Sequence, residues 1–288
     1  MLGRSRGEKT FEVFNIFLLI LLGFATLFPL IHIASKSLSD DAYVLARDIV
    51  LLPKDIQFEA YKYILGNDRF AGSFQNTIIL TFVGTFINIM MTVITAYPLS
   101  RKRFHGQSAI MVLYVFTMFF SGGIIPSYLL VRNLKLLDSI WSLILPGSIS
   151  VYNMILIKNF FMSVPDSLEE SAKMDGCRHI RILFSIFLPL SLPAIATITL
   201  FYAVGHWNSY FGALMYMSTR NKYPLQLFLR EMLIEESVDV VDVSNLMDVA
   251  PESVKAATII VATVPILIIY PFLQKYFVKG VMIGAIKG

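Results

Sequence analysis

Charged residues are scarce in this chain of 288 residues, at 15% of the sequence, whereas 56% of its residues are hydrophobic. Soluble domains contain about 25% charged residues, so the composition argues against a soluble protein and predicts an integral membrane protein. The net charge of +4 does not predict nucleic acid as a partner, because the positions of the basic residues are explained by membrane topology.

Reactive and ligand-binding motifs are also largely missing. Cysteine occurs once, at Cys177, so an intrachain disulfide is impossible. The four histidines are scattered, and Cys177 with His179 supplies too few ligands for a zinc site. No Gly-Lys dipeptide occurs, which excludes a P-loop. We therefore expect no catalytic residues, no metal and no cofactor in this chain, and any ATP would be bound by a partner subunit.

Long charge-poor runs predict an all-α protein with six transmembrane helices. Each run can cross a hydrocarbon core of about 30 Å at about 1.5 Å per residue. The first is too long for a signal peptide and is interpreted as a retained helix. Gly122, Gly123 and Pro126 predict that the third helix breaks or ends early. The six runs cover 13–35, 70–100, 104–131, 139–157, part of 182–219, and 256–274.

The distribution of basic residues orients these helices. The segments 1–12, 101–107, 158–181 and 275–288 together hold 13 Lys and Arg against six acids, whereas 34–73, 132–138 and 206–255 together hold 11 against 14. Basic residues accumulate on the cytoplasmic side, and the cluster Arg101-Lys102-Arg103 lies in a very short loop. We therefore expect both termini, and the segment 158–181, to be cytoplasmic.

The apolar runs contain essentially no Asp, Glu, Lys or Arg, so the chain lacks the intramembrane charges that ion-coupled transporters use. If transport is active, its energy must come from another subunit. Amide side chains in such runs more often form interhelical hydrogen bonds than bind a substrate. Aromatic side chains are likewise more often membrane anchors or packing residues than substrate contacts. With that alternative left open, the candidate substrate-pathway residues are Asn76, Asn88, Asn153, Trp207, Asn208 and Tyr210.

A polar hairpin lies between apolar runs, from Pro165 to Pro193. Ser167 and Glu170 have capping-box spacing, which predicts a helix N-terminus. Gly176 predicts a left-handed helix end, so the first helix is about ten residues long. A second helix is expected to begin near Arg178 and to run toward Pro189. The residues predict two short helices joined by a glycine turn at a membrane surface.

These residues also resemble a known motif. Glu170-Ser171-Ala172, three residues, Gly176, nine residues and Ile186-Phe187-Leu188-Pro189 resemble the EAA motif of bacterial ABC importer permeases, with Ser171 in place of an alanine. The segment Ala96 to Arg101 and the C-terminal tail resemble the carbohydrate-uptake type, including the smaller maltose-importer permease. The segment Gly122 to Tyr128 further resembles a subgroup for complex oligosaccharides and polysaccharide fragments.

The resemblance implies a type I permease fold and a location in the bacterial cell membrane. It implies that the protein imports a sugar and has no enzymatic activity. It also implies three protein partners: ABC ATPase subunits, a second homologous permease, and an extracytoplasmic solute-binding protein. The sugar and membrane lipids would be the other partners. The residues that it assigns to ATPase coupling are Glu169, Glu170, Ser171, Ala172, Asp175, Gly176, Ile186, Leu188 and Pro189.

We expect three parts in the chain. Residues 1–69 form the first transmembrane helix and first extracytoplasmic loop, 70–280 form a five-helix permease core, and 281–288 form a cytoplasmic tail. The core includes a coupling hairpin at 165–185. Two alternatives remain: a membrane receptor or scaffold that docks an ATPase without transport, and an intramembrane enzyme, which the lack of paired catalytic groups disfavours.

Overall fold

The computed structural model describes residues 6–101, 103–234 and 251–285, and every regular element in these ranges is a helix. Extended pairing within them is confined to one antiparallel bridge between Ser39 and Ile56. The predicted all-α fold class is therefore confirmed. The acidic part of the segment 207–255 lies largely outside the described residues, as do the side chains of the C-terminal tail.

The chain forms two compact units, of which the first comprises Met1–Asp68 and Glu231–Val264. Within it, the Lys36 ammonium lies 3.1 Å from a carboxylate oxygen of Glu252, and Ser253 donates a hydrogen bond to Asp41. These polar contacts join segments that are far apart in the sequence. The helices that lie wholly in this unit are α1 (Arg6–Ser37), α2 (Asp41–Leu45) and α3 (Glu59–Leu65).

Helix α1 is apolar around its whole circumference. The most apolar 18-residue window within Gly7–Ser37 has a mean hydropathy of 2.5, and none of that window is buried inside the protein. An exposed apolar surface of this size is unfavourable in water and suits the hydrocarbon of a bilayer. The predicted first transmembrane helix therefore has the length and the surface that a membrane requires.

The second unit comprises Arg69–Arg230 and Pro265–Gly288. Two further helices, α14 (Leu225–Ile234) and α15 (Pro251–Ala285), belong partly to each unit. The remaining helices, in chain order, are α4 (Asp68–Leu99), α5 (Gln107–Phe119), α6 (Ile124–Asn133), α7 (Trp141–Ile144), α8 (Val151–Met162), α9 (Asp166–Met174), α10 (His179–Ile182), α11 (Leu188–Leu190), α12 (Leu192–Trp207) and α13 (Phe211–Tyr216).

The core of the second unit contains three aromatic rings from three different segments. Tyr97 ends helix α4, Phe161 ends α8, and Phe187 lies in the π-helical turn Leu183–Phe187 between α10 and α11. Their ring centroids lie 5.2–6.2 Å apart with near-perpendicular planes, the edge-to-face arrangement that aromatic pairs favour. Phe161 and Phe187 are fully buried. The three rings therefore fix the ends of these segments at one level.

Three predicted helices are interrupted, of which the fifth bends by 85° between α11 and α12. The third breaks between α5 and α6, which meet at 115°, and Gly123 has the left-handed φ of +88° that the turn requires. The fourth, predicted over 139–157, was wrong as one helix. The pair Pro146-Gly147 ends α7, and Ser150 caps the new helix α8 by accepting a hydrogen bond from the backbone of Asn153.

Three described helices are long and apolar enough to cross a membrane, over Gly7–Ser37, Asp68–Leu99 and Pro251–Ile269. Two bent pairs, α5 with α6 and α10–α11 with α12, bring the number to five if each pair is one span. Among the described residues, length and composition thus give three to five spans. The predicted six spans and the location of the termini stay predictions.

Candidate functional site

The first arm of the polar hairpin is helix α9, nine residues long, close to the predicted ten. The predicted capping box was wrong. Pro165, with φ −57°, takes the N-cap position, so the helix begins at Asp166 and Ser167 lies inside its first turn. A proline lacks the N–H that a preceding helical turn would need, and its fixed φ leads directly into a helix. Asp166 and Glu169 then lie near the positive end of the helix dipole.

Gly176 ends α9 as predicted, with a φ of +78°. Two backbone hydrogen bonds close the helix: Cys177 N–H donates to Ala172 O at 2.9 Å, and Gly176 N–H donates to Lys173 O at 3.0 Å. This 6→1 and 5→2 pair is a Schellman motif, in which the residue at the glycine position must adopt a left-handed conformation. The turn therefore depends on glycine for its backbone angle.

The second arm begins at His179, as predicted near Arg178, and widens into the π turn Leu183–Phe187 before Pro189. The Leu188 N–H donates to Leu183 O, an i→i+5 bond. Because Pro189 has no N–H and its ring would clash with the carbonyl four residues earlier, a wider turn is favoured before it. The chain then turns by 85° into α12 at Ser191.

The residues assigned to coupling divide into two groups by burial. Ala172 and Glu169 are buried, at 8% and 7% exposure, while Ile186 and Leu188 are half-buried against the core. The exposed members are Glu170, Ser171, Asp175, Gly176 and Pro189. The first four form an outward surface on α9 and its turn, which we call the outer hairpin face.

Glu169, which the resemblance assigns to ATPase coupling, binds two cationic side chains within this chain, and its role in coupling stays a prediction. One carboxylate oxygen accepts a hydrogen bond from Arg101 at 2.8 Å, and the other accepts one from Lys173 at 2.6 Å. Both oxygens are therefore engaged inside the chain. Ala172 likewise packs into the core rather than lying at the outer surface.

Arg101 holds a central place beneath the hairpin, although the sequence suggested only a topological role for it. Its guanidinium donates to Phe161 O at 2.7 Å and to Ser100 Oγ at 3.0 Å, in addition to Glu169. Its carbon centre lies 4.4 Å from the Phe187 ring centroid, within cation–π range. Only 15% of the side chain is exposed. No spacing rule predicts this contact, because Arg101 and Glu169 lie far apart in the sequence.

The Glu169 carboxylate stays ionised in this environment. Burial raises its pKa, but hydrogen bonds from Lys173 and Arg101 and their positive charges outweigh burial, and the pKa lies below its usual value. A lowered pKa means that the pair contributes stability above the pKa of the unfolded chain. That contribution is lost as the pH falls through the folded pKa.

The candidate substrate-pathway amides lie at separate places in the second unit. The Asn76 amide donates to Asn221 O at 2.9 Å, and the Asn88 amide lies 3.4 Å from Gly147 O. Asn153 is buried near the start of α8, and the Asn208 amide donates to Val204 O of its own helix. Their contacts are those of interhelical or intrahelical hydrogen bonds. Their role in a substrate pathway stays a prediction.

The two candidate aromatics make packing contacts. Trp207 is buried, and its ring meets Phe74 edge to face at 5.9 Å. Tyr210 is half-buried, with the Arg230 guanidinium 4.8 Å from its ring centroid. Both contacts agree with the packing alternative, and a role in sugar binding stays a prediction.

A buried histidine lies at the contact between α4 and α12 and was not among the residues predicted from the sequence. His206 is 9% exposed, and its ring lies against Gly84; a Cβ at that glycine would lie 2.6 Å from His206 Nε2. Among the described residues, Nε2 has no hydrogen-bond partner, nor do the hydroxyls of Thr81 and Thr85. Glycine at the contact and threonines at i and i+4 spacing were the available signals, as close-packed membrane helices favour small residues.

Asp138 clamps a loop at the end opposite to the hairpin in the predicted topology. It accepts hydrogen bonds from the backbone of Ser218 and Thr219, and its carboxylate lies 2.7 Å from Lys222 Nζ. Hydrogen bonding to Lys222, then to Thr219, holds the pKa of Asp138 well below its usual range. The clamp therefore persists in mild acid and is lost only as the pH falls through that lowered pKa.

Asp138→Asn is expected to release this loop. Asparagine tolerates the left-handed φ of 55° at this position but lacks the charge that binds Lys222. We expect trypsin to cut after Arg220 and Lys222 about tenfold faster in the variant, since local opening costs less free energy. Asp48→Asn, which removes an exposed ion pair with Lys54, is the control. Equal cleavage of all three proteins would contradict the clamp.

Relatives with known names match nearly the whole chain. The polygalacturonan/rhamnogalacturonan transport system permease protein YtcP of Bacillus subtilis is 43% identical, covering 98% of this chain and 99% of that protein. The arabinooligosaccharides transport system permease protein AraQ of the same species is 26% identical, covering 98% and 99%.

Solved structures give the same result for the fold. A chain in the crystal structure of a bacterial ABC transporter involved in the import of the acidic polysaccharide alginate matches with a TM-score of 0.91 and 36% identity, over 96% of this chain and all of that one. Residues 70–283 match the family described as binding-protein-dependent transport system inner membrane component. This chain belongs to that family: it is a permease subunit, an inner membrane component of a binding-protein-dependent transport system, and a transport protein rather than an enzyme.

Proposed function

We propose that this chain moves an acidic oligosaccharide into the cytoplasm and receives the energy for transport through the coupling hairpin (165–185). The single observation that carries the proposal is the outer hairpin face. Glu170, Ser171, Asp175 and Gly176 are all exposed, on a helix and turn whose inner side is bound to Arg101 through Glu169. A surface of this kind can receive force from a partner and transmit it inward.

The predicted partners follow from this surface. An ATPase would contact the outer hairpin face, where Glu170 and Asp175 offer negative charge and Ser171 permits close approach. A second permease would complete the pathway, and an extracytoplasmic binding protein would deliver the sugar. Closure of the ATPases on ATP would pull the hairpins together and turn the membrane helices outward, and hydrolysis would reset them.

The proposed substrate class comes from the relatives. YtcP is named for polygalacturonan and rhamnogalacturonan, and the solved importer is described for alginate, an acidic polysaccharide. Both identities exceed 35% over nearly the full chain. Uronic acids carry a carboxylate on each ring, so the common chemistry is an anionic oligosaccharide. A neutral arabinooligosaccharide, as in the name of the more distant AraQ, is the second candidate.

The experiment combines purification with transport. We would isolate the tagged chain from its native host in mild detergent and identify the co-eluting proteins by mass spectrometry. Recovery of a P-loop ATPase, a second permease and a binding protein is the expected result. Proteoliposomes containing that complex are expected to accumulate labelled oligogalacturonides only with ATP. ATPase recovery without uptake of any offered saccharide would favour the receptor or scaffold alternative.

Glu170→Lys is expected to reduce ATP-dependent uptake by more than about tenfold, because it places a positive charge where the partner is predicted to meet a negative one. The side chain is exposed, so folding and membrane insertion remain normal. Uptake by vesicles and the abundance of the chain are the two measurements. Glu59→Lys, the same change on helix α3, is the control, and normal uptake by the Glu170 variant would overturn the assignment.

A further inference from the structure

We propose that Arg101 is the positioning residue that makes the coupling hairpin move together with the membrane helices. The proposal rests on the proposed function, because it concerns how motion of the hairpin reaches the transport pathway. It assigns a specific task to one side chain outside the hairpin. The reason for that task lies in the contacts of α9 with the rest of the second unit.

Helix α9 has little apolar surface with which to hold the core. Its buried residues are Glu169 and Ala172 alone, and alanine contributes a single methyl group. Leu168 and Met174 are exposed, at 42% and 89%. Hydrophobic burial therefore contributes little to holding this helix against the core, and the ion pair between Glu169 and Arg101 becomes important for its position.

The Arg101 side chain joins four segments of the chain at once. It lies two residues after the end of α4, binds α9 through Glu169 at 2.8 Å, and binds the end of α8 through Phe161 O at 2.7 Å. Its face lies 4.4 Å from the centre of the Phe187 ring, in the turn that leads from the hairpin back into α12. Displacement of α9 would therefore act on α4, α8 and the π turn through one side chain.

Arginine is specifically suited to these contacts. The planar guanidinium directs several N–H groups to a carboxylate, a carbonyl and a hydroxyl, while its face remains free to stack on an aromatic ring. A lysine ammonium carries the same charge but cannot reproduce the fork and the stacking together. The geometry thus distinguishes a positioning role from a general need for positive charge.

The surroundings leave room for movement. An open cleft of about 730 Å³ borders the network, with Arg101 and Glu169 on its wall and Tyr97, Phe104 and Met162 among its other lining residues. The cleft gives α9 space into which it can shift, and the buried apolar contact of this helix with the core is limited to Ala172. The ion pair would then keep the shift coupled to the core.

The first test measures coupling in the assembled complex. In proteoliposomes, Arg101→Gln is expected to lower the amount of oligosaccharide transported per ATP hydrolysed by about tenfold, in the range of typical coupling energies. Arg101→Lys should fall between this variant and the unmodified chain. Arg103→Gln removes the same charge two residues away. Arg103 also lines the cleft, but it is exposed, and the two Glu169 oxygens are bound by Arg101 and Lys173, so its ratio should be unchanged. An unchanged ratio in Arg101→Gln would overturn the proposal.

The second test does not require transport. Spin labels at Met174→Cys and Ser108→Cys, in a Cys177→Ser background, report the distance between hairpin and core in the full chain in lipid nanodiscs. Arg101→Gln, or Arg101→Lys if the glutamine variant does not accumulate, is expected to broaden the distance distribution, and an unchanged distribution would refute the positioning role. Failure of the unmodified complex to transport any saccharide would instead refute the proposed function. The spin-label distance distribution would then still test the positioning role of Arg101.

Discussion

Replacing Gly176 with proline is expected to abolish ATP-dependent uptake while the chain remains inserted and abundant. The native φ at this position is +78°, and proline fixes φ near −65°, so the Schellman turn cannot form. Proline also lacks the N–H that donates to Lys173 O. Because α9 and its turn lie outside the long apolar helices, the damage should stay within the hairpin. The measurements are uptake by vesicles and the amount of chain in the membrane.

Alanine substitutions provide the matched control for this prediction. Gly176 and Gly106 both adopt left-handed angles, +78° and +82°, and a Cβ added at either glycine would have no other atom within 4 Å. Alanine therefore adds similar backbone strain at both sites, about 1–2 kcal/mol. We expect Gly176→Ala to reduce uptake and Gly106→Ala to leave it near normal. Equal effects would mean that general destabilisation, and not the hairpin turn, explains the proline result.

Replacing Gly84 with leucine is expected to give the largest loss of stability. A Cβ there would lie 2.6–2.9 Å from three atoms of the His206 ring, which is buried and cannot move freely. Overpacking of this kind costs about 1–3 kcal/mol and forces the α4–α12 contact to shift. The measurement is the thermal midpoint of the purified chain in detergent.

Two further variants serve as controls for the Gly84 prediction. Gly72→Leu places the same side chain on the same helix, at a glycine with nothing within 4 Å, and should change the midpoint little. His206→Ala opens space, so the double variant Gly84→Leu with His206→Ala should recover part of the loss. Additive losses in the double variant would show that the two residues do not pack together.

The hairpin shows what a sequence can predict. Gly176 and the length of α9 follow from local rules, because a left-handed helix end needs glycine and its position is set by its neighbours. The capping box failed because Pro165 competes with Ser167 for the same helix start, and the fixed proline angle prevailed. Local sequence rules do not decide between two residues that both favour a helix N-terminus.

The contacts beneath the hairpin could not be predicted. Arg101 and Glu169 are far apart in the sequence, and each has a simpler local explanation, a cytoplasmic charge and a solvated acid. Only the fold brings them to 2.8 Å. His206 is a partial case, because Gly84 and the threonines near it indicate close helix packing, but the sequence does not show that the His206 ring lies against that glycine.

Site-specific photo-crosslinking at Ser171 tests the central claim most directly. Ser171 belongs to the outer hairpin face, and its exposed side chain can be replaced without disturbing the core. In the assembled complex, we expect a photoreactive residue there to form a covalent product with the P-loop ATPase, and one at the exposed Phe11 of α1 to form none. Absence of the Ser171 product from an intact complex would contradict energy transfer through the coupling hairpin.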